Sequence, residues 1–325
     1  MMQEKVYVTI VTYNSFSETI ECLESVFAQD YSNFQIILID NASDDNSVSE
    51  IIKWCNGKSN PINTKFPSLV LSSHDKKKDY IFLQEEELLF KKHNNKLIFV
   101  QSKKNNGFAA GNNVGIKYIL QNDPKSFCWM LNNDTVVKRN SLLKLVQFQK
   151  KNSLGLTGSV LYHYEKKDIV QAVGGKVNKF FGTTSHITNK YVNKIDYVIG
   201  ASCLISPKVL NSVGLLNEDY FLYYEDVDYS YKIKNQGYKI GFSVESIVYH
   251  KIGVSTGANK IAKHRKDDID LLMLKNRIKF YNRYIKGFFG LYIGFMIVII
   301  LRFFRGKFYM LKSIISLLIN NKHYD

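Results

Sequence analysis

Cysteine and proline are both scarce in this sequence, with four residues of each among 325. The cysteines lie far apart and form no C-x-x-C pair, so we expect neither a zinc site nor a disulfide framework. Reduced thiols, as in a cytosolic protein, are the simplest interpretation. With 45% hydrophobic and 14% aromatic residues, the composition is typical of a folded chain with a sizeable core. The cysteines are Cys22, Cys55, Cys128 and Cys203.

The sequence also lacks the short signatures of several large enzyme classes. It has no phosphate-binding loop of the form G-x-x-x-x-G-K-[ST], and the run from Gly107 to Gly111 does not have the G-x-G-x-x-G spacing of a dinucleotide site. No G-x-S-x-G nucleophile elbow is present. Because Met1 to Lys5 lead directly into an apolar, strand-like segment, we expect no signal peptide.

Basic residues outnumber acidic ones, which gives a formal net charge of +15. Such a charge first suggests a nucleic acid partner. The excess is concentrated, however, because from Leu271 to the end there are ten Lys and Arg residues and one acid, Asp325. Since Phe, Tyr, Ile and Leu are interspersed with these cations, we expect this stretch to contact an anionic membrane surface, and we expect no nucleic acid partner.

Apolar, strand-like runs alternate with helical patterns in the first half of the chain. This alternation predicts an α/β protein with a mostly parallel sheet flanked by helices on both faces. Residues 56–96 break the rhythm, and we interpret them as a surface insertion with a helix over Leu83 to Lys92. The predicted strands cover residues 6–13, 34–39, 97–101, 127–131, 154–162, 198–206 and 239–249, and the predicted helices cover residues 15–29, 47–55, 108–120, 141–149 and 226–236.

Polar side chains follow several of these strands at the point where each strand ends. Asp40 closes the second strand, and Asn132 and Asp134 follow the strand that ends at Leu131. Because open α/β sheets bind ligands at the carboxyl ends of their strands, these residues are candidate ligand contacts. Asp134 suits a hard cation that neutralises a leaving diphosphate. An Asx-turn at Asp40 and a polar turn at Asp134 are the alternatives.

Three acids, Glu225, Asp226 and Asp228, lie within four positions and directly after an aromatic run that ends with Tyr223 and Tyr224. Desolvation by the aromatic residues would raise the pKa of one acid towards that of a general base. The alternative is a first helical turn in which acids favour the macrodipole, but this leaves the aromatic surroundings unexplained. His250 ends a later strand, where a structural role and a ligand role both remain open.

In their order and spacing, these segments resemble family 2 glycosyltransferases of the GT-A fold, and in particular the rhamnosyltransferase-like branch of bacterial polysaccharide synthesis. The resemblance extends from about Val6 to Arg277, and residues 56–96 lie outside it. It therefore implies a GT-A-type, Rossmann-like sheet. The segments that carry the resemblance are Val8–Asn14, Ile39–Asp44, Asn106–Asn113, Leu131–Thr135, Phe221–Asp228 and His250–Ser255.

The resemblance implies a role for each matching residue. Asp226 is expected to be the catalytic base, and Asp134 and His250 are expected to bind a divalent cation, Mg²⁺ or Mn²⁺. The residues expected on the acceptor side, or in support of the base, are Tyr223, Glu225 and Asp228. The residues expected to bind the nucleoside-diphosphate sugar donor are Thr12, Asn14, Asp40, Asn106, Gly107, Asn113 and Asn132.

Two positions depart from the family pattern. Asn132 replaces the first acid of a D-x-D motif, so we expect metal binding to rest on Asp134, His250 and phosphate oxygens. Lys232 stands where the family usually has Arg, which removes a bidentate contact with phosphate or carboxylate. The assignment of Asp226 as base is therefore firmer than the assignment of the metal ligands.

The C-terminal stretch is both basic and apolar. We place a catalytic domain at residues 1–265 and a helical, membrane-associated appendage at residues 266–325. Residues 287–301 carry no charge, but they fall short of the about 20 apolar residues of a membrane-spanning helix. We therefore expect helices that lie on, or dip into, the inner face of the cell membrane. The alternative is a hydrophobic helical pair that packs on the catalytic domain or on a second subunit of a homodimer.

Together these features predict a cytoplasmic, peripheral membrane enzyme of the inverting, sugar-nucleotide-dependent hexosyltransferase type. It would move a sugar from a UDP- or dTDP-sugar, possible donors including dTDP-rhamnose, to a hydroxyl of a growing, lipid-linked bacterial surface glycan. A nucleotidyltransferase, which would release pyrophosphate, is one alternative. A non-catalytic, membrane-bound scaffold with a glycosyltransferase-like body is the other.

Overall fold

A computed structural model describes residues 3–70, 75–251, 263–287 and 289–319, and it describes the backbone but not the side chains of residues 263–266. Within these ranges the strands are β1 (Val6–Thr12), β2 (Phe34–Asp40), β3 (Tyr80–Gln84), β4 (Leu97–Gln101), β5 (Phe127–Asn132), β6 (Thr135–Val137), β7 (Leu156–His163), β8 (Val170–Ala172), β9 (Gly174–Asn178), β10 (Thr183–Ile187), β11 (Ser202–Ile205) and β12 (Ile240–His250). The α-helices are α1 (Phe16–Phe27), α2 (Ser47–Cys55), α3 (Gly107–Asn122), α4 (Ser141–Lys151), α5 (Pro207–Val213), α6 (Glu225–Asn235), α7 (Lys263–Tyr284), α8 (Phe289–Phe304) and α9 (Phe308–Ile319).

A mixed, mostly parallel sheet forms the centre of the molecule. Its strand order is β3-β4-β2-β1-β5-β11-β7-β12-β6, with β8 beside β7. The strands from β3 to β5 are parallel, whereas β11 and β6 run antiparallel to their neighbours. The register aligns Thr12 with Asp40 and Val11 with Asn132. The strand ends that carry the predicted ligand contacts therefore reach the same edge of the sheet.

Helices cover both faces of this sheet because strand side chains alternate between the two faces. One core contains Val8 and Ile10 of β1 and apolar side chains of α1, α2 and α4. The other contains Tyr7 and Val11 of β1 and side chains of α3, α5 and α6. Since β1 is buried along its whole length, its sequence is a continuous apolar run, interrupted only by Thr9, instead of a polar–apolar alternation.

The prediction of a surface insertion at residues 56–96 is wrong for part of this segment. β3 pairs in parallel with β4, in the register of Tyr80 with Leu97, and extends the central sheet by one strand. Tyr80 and Phe82 pack against the core beneath it. The predicted helix over Leu83 to Lys92 is replaced by the end of β3 and a 3₁₀ helix, Glu85–Phe90.

The predicted domain boundary after residue 265 falls inside α7. Phe280 of this helix is buried in a cluster with Tyr224 and Val227 of the α/β body. A second, smaller core joins α7 to α8 and α9. The helix therefore belongs to both units, and it connects the acidic segment to the apolar C-terminal helices.

The C-terminal helices α8 and α9 are 16 and 12 residues long. In the part of the chain that the structure describes, no helix has the length and apolarity needed to cross a membrane. Leu291, Phe295, Met310 and Ile314 are buried against α7. Many other large apolar side chains of the pair are exposed, among them Phe304 at 81%.

Candidate active site

The ends of β1 and β2 form the floor of the candidate site. The hydroxyl of Thr12 lies 2.7 Å from that of Thr19, and Thr12 is 1% exposed. Asp40 is fully buried, and both of its carboxylate oxygens accept hydrogen bonds from Ser43. Burial raises the pKa of Asp40, and the Ser43 bonds oppose this rise. Within the protein, Asp40 thus closes a turn with Ser43. Contact of Thr12 and Asp40 with the nucleoside stays a prediction.

The loop after β1 remains open to a ligand. Asn14 is exposed and has a φ of 50°. Its side chain bonds the backbone and carboxylate of Asp44, and its own N–H donates to Ser43. These bonds join the loop after β1 to the loop after β2. Contact of Asn14 with the donor stays a prediction.

The start of α3 lies against the segment that precedes the acidic run. Gly107 has a φ of +91°, and a Cβ there would lie 2.2 Å from the carbonyl oxygen of Phe221. The backbone N–H of Phe108 donates to the same oxygen at 2.8 Å. Only glycine allows this approach. Gly107 is therefore needed for the shape of the site, whereas donor contacts by it and by the exposed Asn106 stay predictions.

Asn113 joins α3 to the loop that precedes the acidic run. It is fully buried, and its amide nitrogen donates to the carbonyl oxygen of Leu216 and to Glu218. Its amide oxygen accepts from the backbone N–H of Leu216. Because the whole amide is used within the protein, Asn113 holds the loop before the acidic run. Its contact with the donor stays a prediction.

Asp134 and His250 are brought together by the bend between β5 and β6. Antiparallel pairing aligns Thr135 with His250 at the end of β12. His250 Nε2 lies 3.2 Å from Asp134 Oδ1, and Nδ1 lies 3.1 Å from Gln171 Oε1 on β8. When Nδ1–H donates to Gln171, the lone pair of Nε2 points to Asp134. The two residues predicted to bind a metal therefore lie side by side, and metal binding by them stays a prediction. Residues 252–255 of the predicted His-containing loop lie outside the described residues.

The donor atoms of this pair fit a divalent cation. Their 3.2 Å separation is close to the about 3 Å between adjacent ligands of an octahedral ion bound at about 2.1 Å. Asn132 Nδ2 lies 3.5 Å from His250 Nε2, and Asn132 Oδ1 is buried with no hydrogen-bond partner among the described atoms. The described residues hold no cluster of three or more His, Cys, Asp or Glu side chains. Phosphate oxygens and water would therefore complete the ligand set.

Two consecutive tyrosines in the left-handed conformation precede α6. Tyr223 has a φ of 70° and Tyr224 a φ of 71°, a conformation that costs a residue with a Cβ roughly 1–2 kcal/mol. The amide nitrogen of Asn276 on α7 donates to the carbonyl oxygens of Leu222 and Tyr223, each at 2.9 Å. The turn thus keeps a strained backbone because groups outside it hold it in place.

Asp226 lies in the first turn of α6, and its side chain is half-buried. Its Oδ2 accepts a hydrogen bond from the backbone N–H of Gly200 at 3.0 Å, and Oδ1 accepts from that of Val227 at 2.8 Å. Burial raises the pKa of Asp226, and these two bonds and His186 oppose the rise. Each oxygen still has a lone pair. The group is therefore oriented, and it can accept a proton.

The two other acids of the run support Asp226 from buried positions. Asp228 is 1% exposed and pairs with Arg283 of α7 at 3.0 Å. Glu225 is 6% exposed, and burial, together with the charges of Asp226 and Asp228, raises its pKa to about 8. Glu225 is thus protonated at neutral pH, which spares Asp226 a negative neighbour.

Replacement of Glu225 by Gln is expected to stabilise the protein at alkaline pH. Between pH 4.5 and about 8 the folded state holds a proton on Glu225 that the unfolded state releases, so a rise in pH across this window destabilises the wild type. Gln has no ionisable group, so the variant does not lose this stability as the pH rises. The gain in Tm should grow from near zero at pH 4.5 to several degrees at pH 8, as measured by calorimetry.

The matched control for this prediction is Glu18→Gln, which changes an acid in the first turn of α1. Its Tm difference from the wild type should not follow the same pH course. Equal gains for Glu225→Gln at pH 5 and pH 8 would show that Glu225 is not held in its protonated form.

Three supporting residues have no motif in the sequence and were not predicted. Gln171 and Gly200 contact His250 and Asp226. His186 on β10 lies within electrostatic range of Asp226 and of His250. Desolvation lowers the pKa of His186, the charge of Asp226 raises it, and His250 lowers it. A lone histidine on a short strand carries no recognisable signal. Its position indicates that Asp226 and the Asp134–His250 pair share one side of the molecule.

The fold and this arrangement define a class of protein. The crystal structure of GalNAc-T7 with UDP, GalNAc and Mn²⁺ superposes with a TM-score of 0.58 at 16% identity, over 87% of this chain and 49% of that one. Mannosyltransferase PcManGT from Pyrobaculum calidifontis, in complex with GDP-Man and Mn²⁺, superposes with a TM-score of 0.54 at 12% identity, over 99% and 88%. The chain therefore has the GT-A glycosyltransferase fold.

Sequence comparison finds similarity to the same class of enzyme. Residues 7–66 match the model of glycosyl transferase family 2. The low-salt glycan biosynthesis hexosyltransferase Agl10 of Haloferax volcanii is 24% identical over 146 residues, 44% of this chain and 48% of the relative. The dTDP-rhamnosyl transferase RfbF of Shigella flexneri is 22% identical over 151 residues, 46% and 50%. The chain thus matches about half the length of these relatives.

Proposed function

We propose that this chain is an inverting glycosyltransferase that moves a sugar from a UDP- or dTDP-sugar to a hydroxyl of a growing, lipid-linked glycan. The observation that carries the proposal is Asp226, a carboxylate with a raised pKa, held by two backbone N–H groups on the same side as the Asp134–His250 pair. The name of the relative RfbF supports dTDP-rhamnose as one donor to test.

The chemistry follows from the position of Asp226. Its carboxylate takes the proton of the acceptor hydroxyl as that oxygen bonds to the anomeric carbon of the donor. The bond from this carbon to the diphosphate breaks on the opposite face, so the configuration inverts. A divalent cation, Mg²⁺ or Mn²⁺, held by Asp134 and His250 would neutralise charge on the leaving diphosphate. His186 and Glu225 set the electrostatic surroundings of the base.

A donor screen tests this proposal. The chain is incubated with a panel of sugar nucleotides and glycan acceptors, and the released UDP or dTDP is measured by mass spectrometry. The anomeric configuration of the product is read by NMR. Release of pyrophosphate from a nucleoside triphosphate would instead indicate a nucleotidyltransferase. Neither transfer nor donor hydrolysis with any donor would indicate a scaffold.

The acceptor class is supported by the exposed surface of α8. Met296, Ile297, Ile300 and Phe304 are each at least 45% exposed. Since the chain from Leu271 onwards has ten cations and one acid, the surface suits an anionic leaflet, where each cation near the surface contributes about 1 kcal/mol. We propose that α8 and α9 lie on the inner face of the cell membrane, where a lipid-linked acceptor would be found.

The double variant Ile297→Glu/Ile300→Glu is expected to lose most of its binding to anionic vesicles. Each change places a carboxylate in the surface proposed to enter the lipid, and acidic lipids repel it. Flotation with phosphatidylcholine vesicles, with and without phosphatidylglycerol, measures the bound fraction. Wild-type binding should require the anionic lipid.

Tyr191→Glu is the control for this prediction, because Tyr191 is 82% exposed but lies outside the C-terminal helices. It should bind vesicles as the wild type does. Unchanged binding by the double variant would contradict the proposal. A different outcome would favour a homodimer through this surface: the wild type binds neither kind of vesicle, and light scattering gives twice the mass of one chain.

A further inference from the structure

In the segment before Asp226, each backbone carbonyl oxygen accepts a hydrogen bond. The oxygen of Phe221 accepts from the start of α3. The next two, on Leu222 and Tyr223, accept from a single side chain, that of Asn276 on α7. The oxygen of Tyr224 accepts from Asp228 inside α6. One side chain of α7 therefore fixes the two peptide groups where the left-handed turn begins.

Asn276 is suited to this contact and to little else. It is fully buried in the middle of α7. Its amide nitrogen has two hydrogens, and each of the two carbonyl oxygens lies 2.9 Å from it. The opposite orientation of the amide would place its oxygen against both carbonyl oxygens, so the contacts themselves settle which atom is nitrogen.

The surroundings of Asn276 make the contact rigid. One turn further along α7, the Phe280 ring lies 5.7 Å from that of Tyr224. Near the end of the helix, Arg283 pairs with Asp228. The acidic run is thus contacted at its left-handed turn, at an aromatic ring and at a carboxylate by the same helix. Of these contacts, only that of Asn276 acts on the backbone that sets where α6 begins.

We propose that Asn276 is a positioning residue for the transfer reaction: it holds the Leu222–Tyr224 turn so that Asp226 faces the acceptor. The kinetic part of this inference rests on the proposed function. Without the two hydrogen bonds, the turn can relax from its left-handed conformation, and the first turn of α6 moves with it. The carboxylate of Asp226 would then lose its alignment, although its chemistry is unchanged.

The test uses Asn276→Leu in the full-length chain, with Ile278→Ala as the matched control. Leu keeps the branched shape of the side chain, with two methyl groups in place of the amide oxygen and nitrogen, and removes both donor hydrogens. Ile278 is buried on the same helix and packs towards α8 and α9, away from the acidic run. Asn276→Ser, which keeps one donor, is a milder variant in case Leu prevents folding. For each protein we measure kcat, the donor dissociation constant, Tm, and hydrogen exchange of the peptide that covers residues 219–229.

Asn276→Leu is expected to lower kcat at least tenfold, to leave donor affinity within twofold, and to speed exchange at residues 223–228. Ile278→Ala should lower Tm without either effect, and Asn276→Ser should fall between wild type and Leu in kcat. Unchanged exchange in Asn276→Leu overturns the inference, even when the wild type transfers no sugar. The inference is also overturned if Ile278→Ala, at the same loss of Tm as Asn276→Leu, loses as much kcat and as much protection from hydrogen exchange. Absence of transfer by the wild type overturns only the proposed function.

Discussion

Asp226→Asn is expected to lower the rate of sugar transfer by about a thousandfold or more while donor affinity stays within a few fold. The amide has nearly the same shape and can still accept from Gly200 through its oxygen, so the fold and the donor site are kept. It cannot take a proton from the acceptor hydroxyl, and general base catalysis contributes about 10²–10⁴ in rate. Steady-state kinetics and calorimetric donor titration measure the two quantities separately.

The control for this prediction is Asp196→Asn, which changes another acid of the same body. Asp196 accepts a hydrogen bond from the backbone N–H of Val177 on the β9–β10 hairpin, and among the described residues no hydrogen bond or ion pair joins its side chain to the acidic run. It should keep its transfer rate. If Asp226→Asn instead abolishes donor binding and leaves the rate at saturation unchanged, the base has been misassigned, and Asp226 belongs to the donor site.

Removal of divalent cations is expected to have the second largest effect. Treatment with EDTA should reduce transfer to background, and Mg²⁺ or Mn²⁺ should restore it. The reason is that two protein ligands and the phosphate oxygens of the donor hold the ion together, so the ion is bound only when the donor is present. Asp134→Ala should behave like the EDTA-treated wild type and should not recover with added metal.

His250→Gln provides a graded comparison for the metal site. The amide removes the imidazole ligand but leaves Asp134. The concentration of Mn²⁺ needed for half-maximal activity should therefore rise by at least the about 10-fold to 100-fold that loss of a residue supporting a metal ligand costs. Metal titration of activity checks this. Full activity of the wild type in EDTA, with no response to added metal, would show that Asp134 and His250 form an ordinary hydrogen-bonded pair.

The parallel half of the fold could be predicted from the sequence because its strands are buried on both faces. Continuous apolar runs such as Val6–Thr12 and Phe34–Asp40 have few other stable environments. The strand β3 was missed because it lies at a sheet edge, is only half-buried, and follows a polar stretch. The short strands β8 to β10, of three to five residues, are too short for a periodic pattern to appear.

The candidate site could be predicted where a reactive side chain stands beside a recognisable sequence pattern. Asp226 and Asp134 stand out because carboxylates follow strands or aromatic runs, and His250 because it ends a strand. Asn113 and Thr12 match the family's segments equally well, yet their side chains are buried inside the protein. Asn276 gives no sign at all, because a single asparagine within a helical pattern has many possible uses. Its role depends on which carbonyl groups the fold brings to it.

The position of α7 decides how this protein can be shortened for study. The C-terminal helices expose many apolar side chains, which favour association in solution. A boundary chosen from the sequence alone would remove everything after residue 265. Such a deletion would also remove Asn276, Phe280 and Arg283, the side chains that contact the turn and the acidic run. It would leave the buried carboxylate of Asp228 without its ion partner. A truncated form that keeps its active site intact must therefore include α7 and end between Tyr284 and Phe289.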